Sequence, residues 1–182
     1  MKISKRKLGI LFILLIFICI ESFSIATYQT AVLGENKKKN ELENEIKLEE
    51  REAELTEEEQ ETLNLINEYR KQNGLEELRA LSNLQEVANI KANDLVKNNY
   101  FAHNSPNLGT PFEMLEDNRV EYTIAGENLA GNVNPKKAVE AWINSTLHRE
   151  NILESKFEYT GICVIKSPVY GKIFVQLFIG IN

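Results

Sequence analysis

Tyr100-Phe101-Ala102-His103-Asn104-Ser105-Pro106, Ala125-Gly126-Glu127-Asn128-Leu129-Ala130 and Ala141-Trp142-Ile143-Asn144-Ser145-Thr146-Leu147-His148-Arg149-Glu150-Asn151-Ile152-Leu153 decide how this chain is read. They hold its two histidines, and a carboxylate in a Gly-Glu-Asn sequence lies between them. Imidazole is the side chain best suited to proton transfer and metal binding near neutral pH. His103 follows a helical pattern, and its neighbours Asn104, Ser105 and Pro106 favour a turn. Glu127 follows a glycine, which predicts a tight turn between elements. His148 comes a few residues after another helical pattern, with Ser145 and Thr146 marking the exit.

The surrounding pattern gives the elements. Thr56 and Glu59 form a capping box, and Leu63, Ile66 and Tyr69 recur at helical spacing up to the stop at Asn73-Gly74. A second helix is predicted from Ser82 to about Asn98, with Leu84, Ala88, Ala92 and Leu95 on one face. Thr110-Pro111-Phe112-Glu113 starts a third and Asn134-Pro135 a fourth, which runs through Val139 and Trp142. The period then changes. Phe157 to Ile165 and Lys172 to Ile179 are rich in β-branched and aromatic residues, with a turn at Ser167-Pro168-Val169-Tyr170-Gly171. Helices followed by a terminal hairpin indicate an α+β domain.

Ahead of the domain, Lys2, Lys5, Arg6 and Lys7 precede an uninterrupted apolar run, Leu8 to Ile20. This is the pattern of a secretory signal, and Ser24-Ile25-Ala26 offers a cleavage site after Ala26. The second reading is an uncleaved anchor, although a span needs about 20 apolar residues and the clean run is shorter. Both put the domain outside the cytoplasm. The predicted organisation is a signal peptide or membrane anchor at 1–26, a charged linker with helical potential at 27–55, and the domain at 56–182. Cys19 falls in the leader, so a mature chain keeps Cys163 alone and forms no intrachain disulfide. Cys163 lies in a β-like run and is read as a small apolar core residue. A net charge of −6 argues against binding nucleic acid by neutralising phosphates.

Two chemistries are open to the polar residues. Two imidazoles and a carboxylate that converge can bind a divalent metal such as zinc, or can form an acid–base set. The structural alternatives are equally concrete. His103 can cap a backbone carbonyl, His148 can hold the Asn144–Leu153 segment in place, and Glu127 can bind backbone N–H groups or pair with Arg149. Trp142 is read as core or cavity wall. Asn128 and Asn151 are read as loop braces. Tyr100, Phe101 and Phe112 can edge an apolar groove, with core packing the default for aromatics at such spacing. Ser105 lacks the context of a nucleophile elbow.

In this order, the three segments resemble the signature segments of the CAP (SCP-like) superfamily, which includes cysteine-rich secretory proteins, venom antigens and plant pathogenesis-related proteins. The resemblance covers about Thr56 to Ile181. It implies an α-β-α sandwich with a central antiparallel sheet. Animal and plant members line a cavity with two histidines and two acidic residues. The first histidine falls on His103 and the glutamate of the Gly-Glu-Asn motif on Glu127. The second glutamate position holds Ser145 and the second histidine position Ile173, so half of that set is absent. The chain looks instead like the bacterial branch, whose His-Arg-x-Asn-Ile-Leu segment is matched by His148, Arg149, Asn151, Ile152 and Leu153. His148 is then expected to enter the same cavity from the helical side.

The leading reading is a secreted or membrane-tethered binding module, more a binder than an enzyme. Its cleft is organised by His103, Glu127 and His148, with Asn128 and Trp142 beside them. It takes a small apolar or lipid-like ligand, or a surface partner, with His103, Glu127 and His148 as tentative metal ligands. The rival is a metal-assisted hydrolase of peptide or cell-envelope material, against which stands the absence of a His-Glu-x-x-His helix.

Overall fold

A computed structural model describes residues 33–34, 37–39 and 52–181. The leader with Cys19 and most of the linker lie outside the described residues. No helix among the described residues is long and apolar enough to cross a membrane.

Helix α1 (Glu57–Gln72) starts at the predicted capping box. Thr56 Oγ1 accepts from the Glu59 N–H, and Glu59 Oε2 accepts from the Thr56 N–H at 2.9 Å. The same buried glutamate turns its other oxygen to the Val164 N–H at 3.2 Å, so the cap also ties the helix to a distant strand. The helix ends in a Schellman motif. Gly74, at φ 74°, donates to Lys71 O, and Leu75 donates to Arg70 O, each at 3.1 Å. Helix α2 (Ser82–Lys97) buries Leu84, Val87, Ala88, Ala92 and Leu95. It ends where Asn99 takes the left-handed conformation that asparagine tolerates, at φ 51°. Helix α3 (Pro111–Asp117) has the expected capping box and an initial proline. Helix α4 (Pro135–Asn144) is capped by Asn134 Oδ1, which accepts from the Lys137 N–H at 2.9 Å.

Two features differ from the sequence reading. Thr146–Leu153 forms a further helix, α5, so Ser145 and Thr146 mark a corner rather than an exit into a loop. Ile124–Asn132 forms a strand, so Glu127 lies mid-strand and not in a tight turn. The segment Ile-Ala-Gly-Glu-Asn-Leu-Ala-Gly-Asn carries residues depleted in strands, which is why it reads as a turn. A continuous antiparallel ladder, from Ile124 opposite Gly180 to Asn132 opposite Lys172, overrides that local preference.

The sheet has the order β1-β3-β4-β2, with β1 Arg79–Ala80, β2 Ile124–Asn132, β3 Tyr159–Ser167 and β4 Gly171–Gly180. β2, β4 and β3 are antiparallel as expected, and the two-residue β1 adds to β3 in parallel. Successive side chains on a strand face opposite sides, and the core divides accordingly. Cys163, Ile173, Val175, Leu177 and Ile179 pack with Leu84, Val87, Ala88, Ala92 and Leu95 of α2 and with Met114 and Leu115 of α3. Ile162, Phe174 and Phe178 pack with Leu63 and Ile66 of α1, Trp142 of α4 and Ile152 of α5. The result is the α-β-α sandwich.

Both cores close within the compact unit Arg51–Asn182. The unit reaches ahead of Thr56, because Glu52 bridges to Leu81 and the Ala53 N–H donates to Ala80 O at 3.3 Å. Two buried polar side chains fasten the layers. Gln85 on α2 exchanges hydrogen bonds with both backbone groups of Ile162. The Arg70 guanidinium donates to the carbonyls of Glu76, Ile152, Glu154 and Phe157 at 2.7–3.1 Å, which joins α1 to the segment between α5 and β3.

Candidate functional site

β2 is an edge strand, and the site is built around it. Ala125, Glu127 and Leu129 share one face, and Ala125 and Leu129 belong to the α2-side core, so Glu127 projects toward α2. Asn128 projects to the other face. The loop that follows α2 brings His103 onto Glu127, with Nδ1 2.7 Å from Oε1. The carboxylate is buried, whereas the imidazole is about half exposed. Glu127 Oε2 is buried and has no hydrogen-bond partner.

Lys91 seats the His103 loop. It is fully buried on α2, and its ammonium donates to Ala102 O at 2.9 Å, His103 O at 2.6 Å and the Tyr100 hydroxyl at 3.2 Å. Burial pulls its pKa down, and the charges of Glu127 and Asp94 pull it back up. Asp94, one turn further along α2, accepts from the hydroxyls of Ser105 (2.6 Å) and Tyr100 and from Asn98 Nδ2 (2.6 Å). Burial pushes the Asp94 carboxyl up, but these hydrogen bonds outweigh it and hold the group below its ordinary value. The Tyr100 hydroxyl is pushed up to about 12 by burial and by Asp94, so it stays a donor. Sequence spacing put Ala88, Ala92 and Leu95 on the buried face of α2. It gave no sign that Lys91 and Asp94 are buried there too, although they stand three apart where a shared face was open to inspection.

His148 comes from the opposite side. Its Nδ1 lies 2.9 Å from Ser145 Oγ, the hydroxyl at the position where the animal and plant pattern has its second glutamate. Asn128 Nδ2 donates to His148 O at 3.0 Å, and Asn151 Nδ2 donates to Glu127 O and to Asn128 Oδ1. Asn128 and Asn151 thus tie β2 to α5. Trp142 is core, and its Nε1 donates to Leu129 O at 3.0 Å. Arg149 donates to Ile143 O rather than pairing with Glu127, whose partner is His103. Ile173 is buried in the α2-side core. Phe101 and Phe112 are exposed, contrary to the core assignment. Cys163 is buried as expected, and burial pushes its thiol up to about 12.

The two histidines are poised differently. The hydrogen bond between the His103 ring and the Glu127 carboxylate, which accepts it, raises the pKa of His103. Burial first, and then the charge on nearby His103, lowers that of His148. At neutral pH the arrangement offers one imidazole held toward its cationic form and one held neutral. Among the described residues, no three His, Cys, Asp or Glu side chains come together in a group that could hold a metal ion. His103 Nδ1 and Glu127 Oε1 are turned on each other, 2.7 Å apart.

Against known proteins, the profile of the cysteine-rich secretory protein family, CAP, matches residues 63–178. The chain belongs to the CAP family. The protein YkwD of Bacillus subtilis (strain 168) is 40% identical over 117 residues, covering 64% of this chain and 44% of its own length. The membrane protein YlbC of the same strain is 37% identical over 118 residues, covering 64% and 33%. Among solved structures, an outer surface protein of Borrelia burgdorferi superposes with a TM-score of 0.65 at 25% identity, covering 71% of this chain and 97% of that one. An extracellular protein from Bacillus anthracis that contains an SCP domain gives 0.62 at 32% identity, covering 70% and 45%. The matched region thus spans less than half of the two Bacillus subtilis relatives.

Proposed function

We propose that this protein is an extracytoplasmic CAP-domain binding module that seats a small ligand at the His103–Glu127 pair, with His148 beside it. The observation that carries the reading is Glu127 Oε2, a buried carboxylate oxygen without a hydrogen-bond partner. Such an atom costs on the order of 1–3 kcal/mol and more when charged, and a ligand donor recovers that cost. The Lys91 charge lies near the carboxylate and the His103 imidazole already bonds its other oxygen, so an uncharged hydroxyl or amide donor suits Oε2 better than a cation. The extracytoplasmic placement is supported by the basic-apolar leader pattern and by relatives described as extracellular or outer surface proteins. Nothing in the geometry favours metal-assisted hydrolysis, which needs a gathered ligand set.

The test is a calorimetric titration with 1-decanol, a hydroxyl donor on an apolar chain, using wild type, Glu127→Gln and His103→Ala. Saturable binding to the wild type that weakens at least tenfold in both variants, at melting temperatures that show them folded, is the expected result. No saturable binding to the wild type, or affinity unchanged in both variants, would refute it.

A further inference from the structure

Eight large apolar side chains are exposed among the described residues, and four of them gather at one end of the sheet: Phe101, Val133, Val169 and Tyr170. They come from three separate segments. The Phe101 and Tyr170 rings pack against each other, with centroids 5.0 Å apart and planes tilted by 46°. Val133 follows the last residue of β2 and lies beside Gly171, where an added Cβ would come 3.7 Å from Val133 Cγ1. Single exposed apolar residues are ordinary, but a contiguous cluster is not.

The cluster is rigidly built. Ser167 Oγ accepts from the N–H groups of Val169 and Tyr170, and Gly171 completes the turn at φ 77°. Gly131 lets the Tyr170 ring lie on β2, because a Cβ there would stand 2.9 Å from the ring. A hairpin turn usually carries polar residues. Here Pro168-Val169-Tyr170 presents apolar ones in a fixed shape.

The three segments that build the cluster are rich in lysine, although the whole chain carries −6 and the acidic start of α1 lies beside Lys172. The three segments that build it contain no Asp or Glu: none lies between Asp94 and Glu113, between Glu127 and Glu140, or after Glu158. They contribute Lys97, Lys136, Lys137, Lys166 and Lys172. Glu140 pairs with Lys137, and Glu58, from the start of α1, pairs with Lys172. Lys136 and Lys166 are exposed and form no salt bridge among the described residues.

We propose that this tip docks on an anionic lipid bilayer, with Val133, Val169, Tyr170 and Phe101 entering the interface and Lys136 and Lys166 meeting the headgroups. Apolar and aromatic side chains flanked by lysines match both layers of such a surface. Phe101 stands two residues from His103, but the substitutions that test this surface lie at Val133, Lys136, Lys166 and Val169, outside the His103–Glu127 pair, so either proposal can fail alone.

The test uses residues 51–182, whose two cores close within themselves and whose fold makes up almost a whole chain in the Borrelia protein. Vesicles of phosphatidylcholine alone, or with phosphatidylglycerol, are sedimented with wild type, Lys136→Gln/Lys166→Gln and Val133→Ser/Val169→Ser. Binding is expected only to the anionic vesicles and is expected to fall with salt. Each lysine is worth about fivefold in partitioning, so the lysine pair loses roughly 25-fold, and the valine pair also weakens binding. Circular dichroism melts confirm that the variants are folded. Absence of binding to anionic vesicles would overturn the proposal. So would binding that ignores the lysine changes, or binding that responds to lysines and salt but not to the valines, which marks a plain polyanion contact.

Discussion

Lys91→Met removes the buried ammonium under the His103 loop while keeping most of the apolar stem. Three acceptors lose a charged donor: Ala102 O, His103 O and the Tyr100 hydroxyl. Hydrogen bonds to charged groups contribute about 1.5–3 kcal/mol each. Ala102 and His103 are exposed residues, so water can reach their carbonyls once the lysine is gone. The burial penalty of the ammonium disappears as well. The net loss should therefore be about 2–4 kcal/mol. For a domain of this size that is a fall in Tm of about 8–15 °C. Thermal unfolding at pH 7 reads it directly, with Lys97→Met as the exposed control one and a half turns further on. An NMR titration of His103 separates two roles for the lysine. Because the Lys91 charge lowers the His103 pKa, its removal should raise that pKa while Ser105, still anchored to Asp94, keeps the loop seated. A fall toward 6.5 would show instead that Lys91 is what holds the imidazole on Glu127. A Tm within about 2 °C of wild type together with an unmoved His103 titration would refute the reasoning.

The two histidines should titrate on opposite sides of 6.5, His103 above and His148 below, and His103→Ala should move His148 upward. The stability contribution of His103 is then fully present below 6.5 and lost as pH rises through its raised folded value. That of His148 has the opposite sign: stability falls as pH drops through its depressed value; coincident midpoints in one NMR series would contradict both. Gly161→Ala would place a Cβ 2.3 Å from Leu84 O and 2.7 Å from Gln85 N, both backbone atoms of α2. It should cost about 3 kcal/mol or more in denaturant unfolding, since helix and sheet must separate. Gly131→Ala first meets the Tyr170 side chain, its Cβ and ring at 2.9 Å, and should cost about 1 kcal/mol while displacing that side chain from the tip. Asn128→Ala removes a fully buried brace between β2 and α5 and should cost about 2–3 kcal/mol; a change under about 0.5 kcal/mol would show that the brace contributes little.

Residues that act through local geometry were readable before any coordinates. Thr56 with Glu59, Thr110 with Pro111 and Glu113, Asn134 with Pro135 and Gly74 past the end of α1 each announce a helix boundary, because capping involves atoms only a few positions apart. The terminal hairpin announced itself by its β-branched run. β2 did not, because its strand character comes from pairing with β4 and not from its own residues. The Gly-Glu-Asn sequence therefore marks Glu127 as a candidate while reading as a turn, whereas the residue lies mid-strand. Helix α5 was missed for a related reason. It is only eight residues long, has no side-chain cap, and buries Ile152 alone. Its position depends on Asn128 and Arg70, which hold it from outside. The buried lysine and aspartate on α2 were invisible for a third reason: a charged residue within an apolar stripe reads as exposed until its partners are known. The meeting of His103 with Glu127 became an expectation only through resemblance to the CAP pattern, since nothing in the spacing of the two residues brings them together.

The edge position of β2 connects these observations. An open edge presents backbone groups to any passing strand, and natural sheets cover such edges. Here the outward carbonyls of Glu127 and Leu129 accept from Asn151 Nδ2 and Trp142 Nε1, so α5 and α4 close the edge with side chains. Closing it in this way has a consequence for the site. The residues that cap the backbone at Glu127 and Leu129 also fix where α5 sits, and α5 carries His148. On the opposite face, α2 fixes the His103 loop through Lys91. The two histidines therefore come to β2 from opposite layers of the sandwich. A ligand that bridges His103 and His148 would contact both layers of the sandwich. Its affinity should then respond to substitutions on either side of β2: Lys91→Met through the loop, and Asn128→Ala through the helix. A ligand that engages Glu127 alone would respond only to the first. Measuring 1-decanol affinity in those two variants distinguishes a site that spans the edge from one confined to a single face.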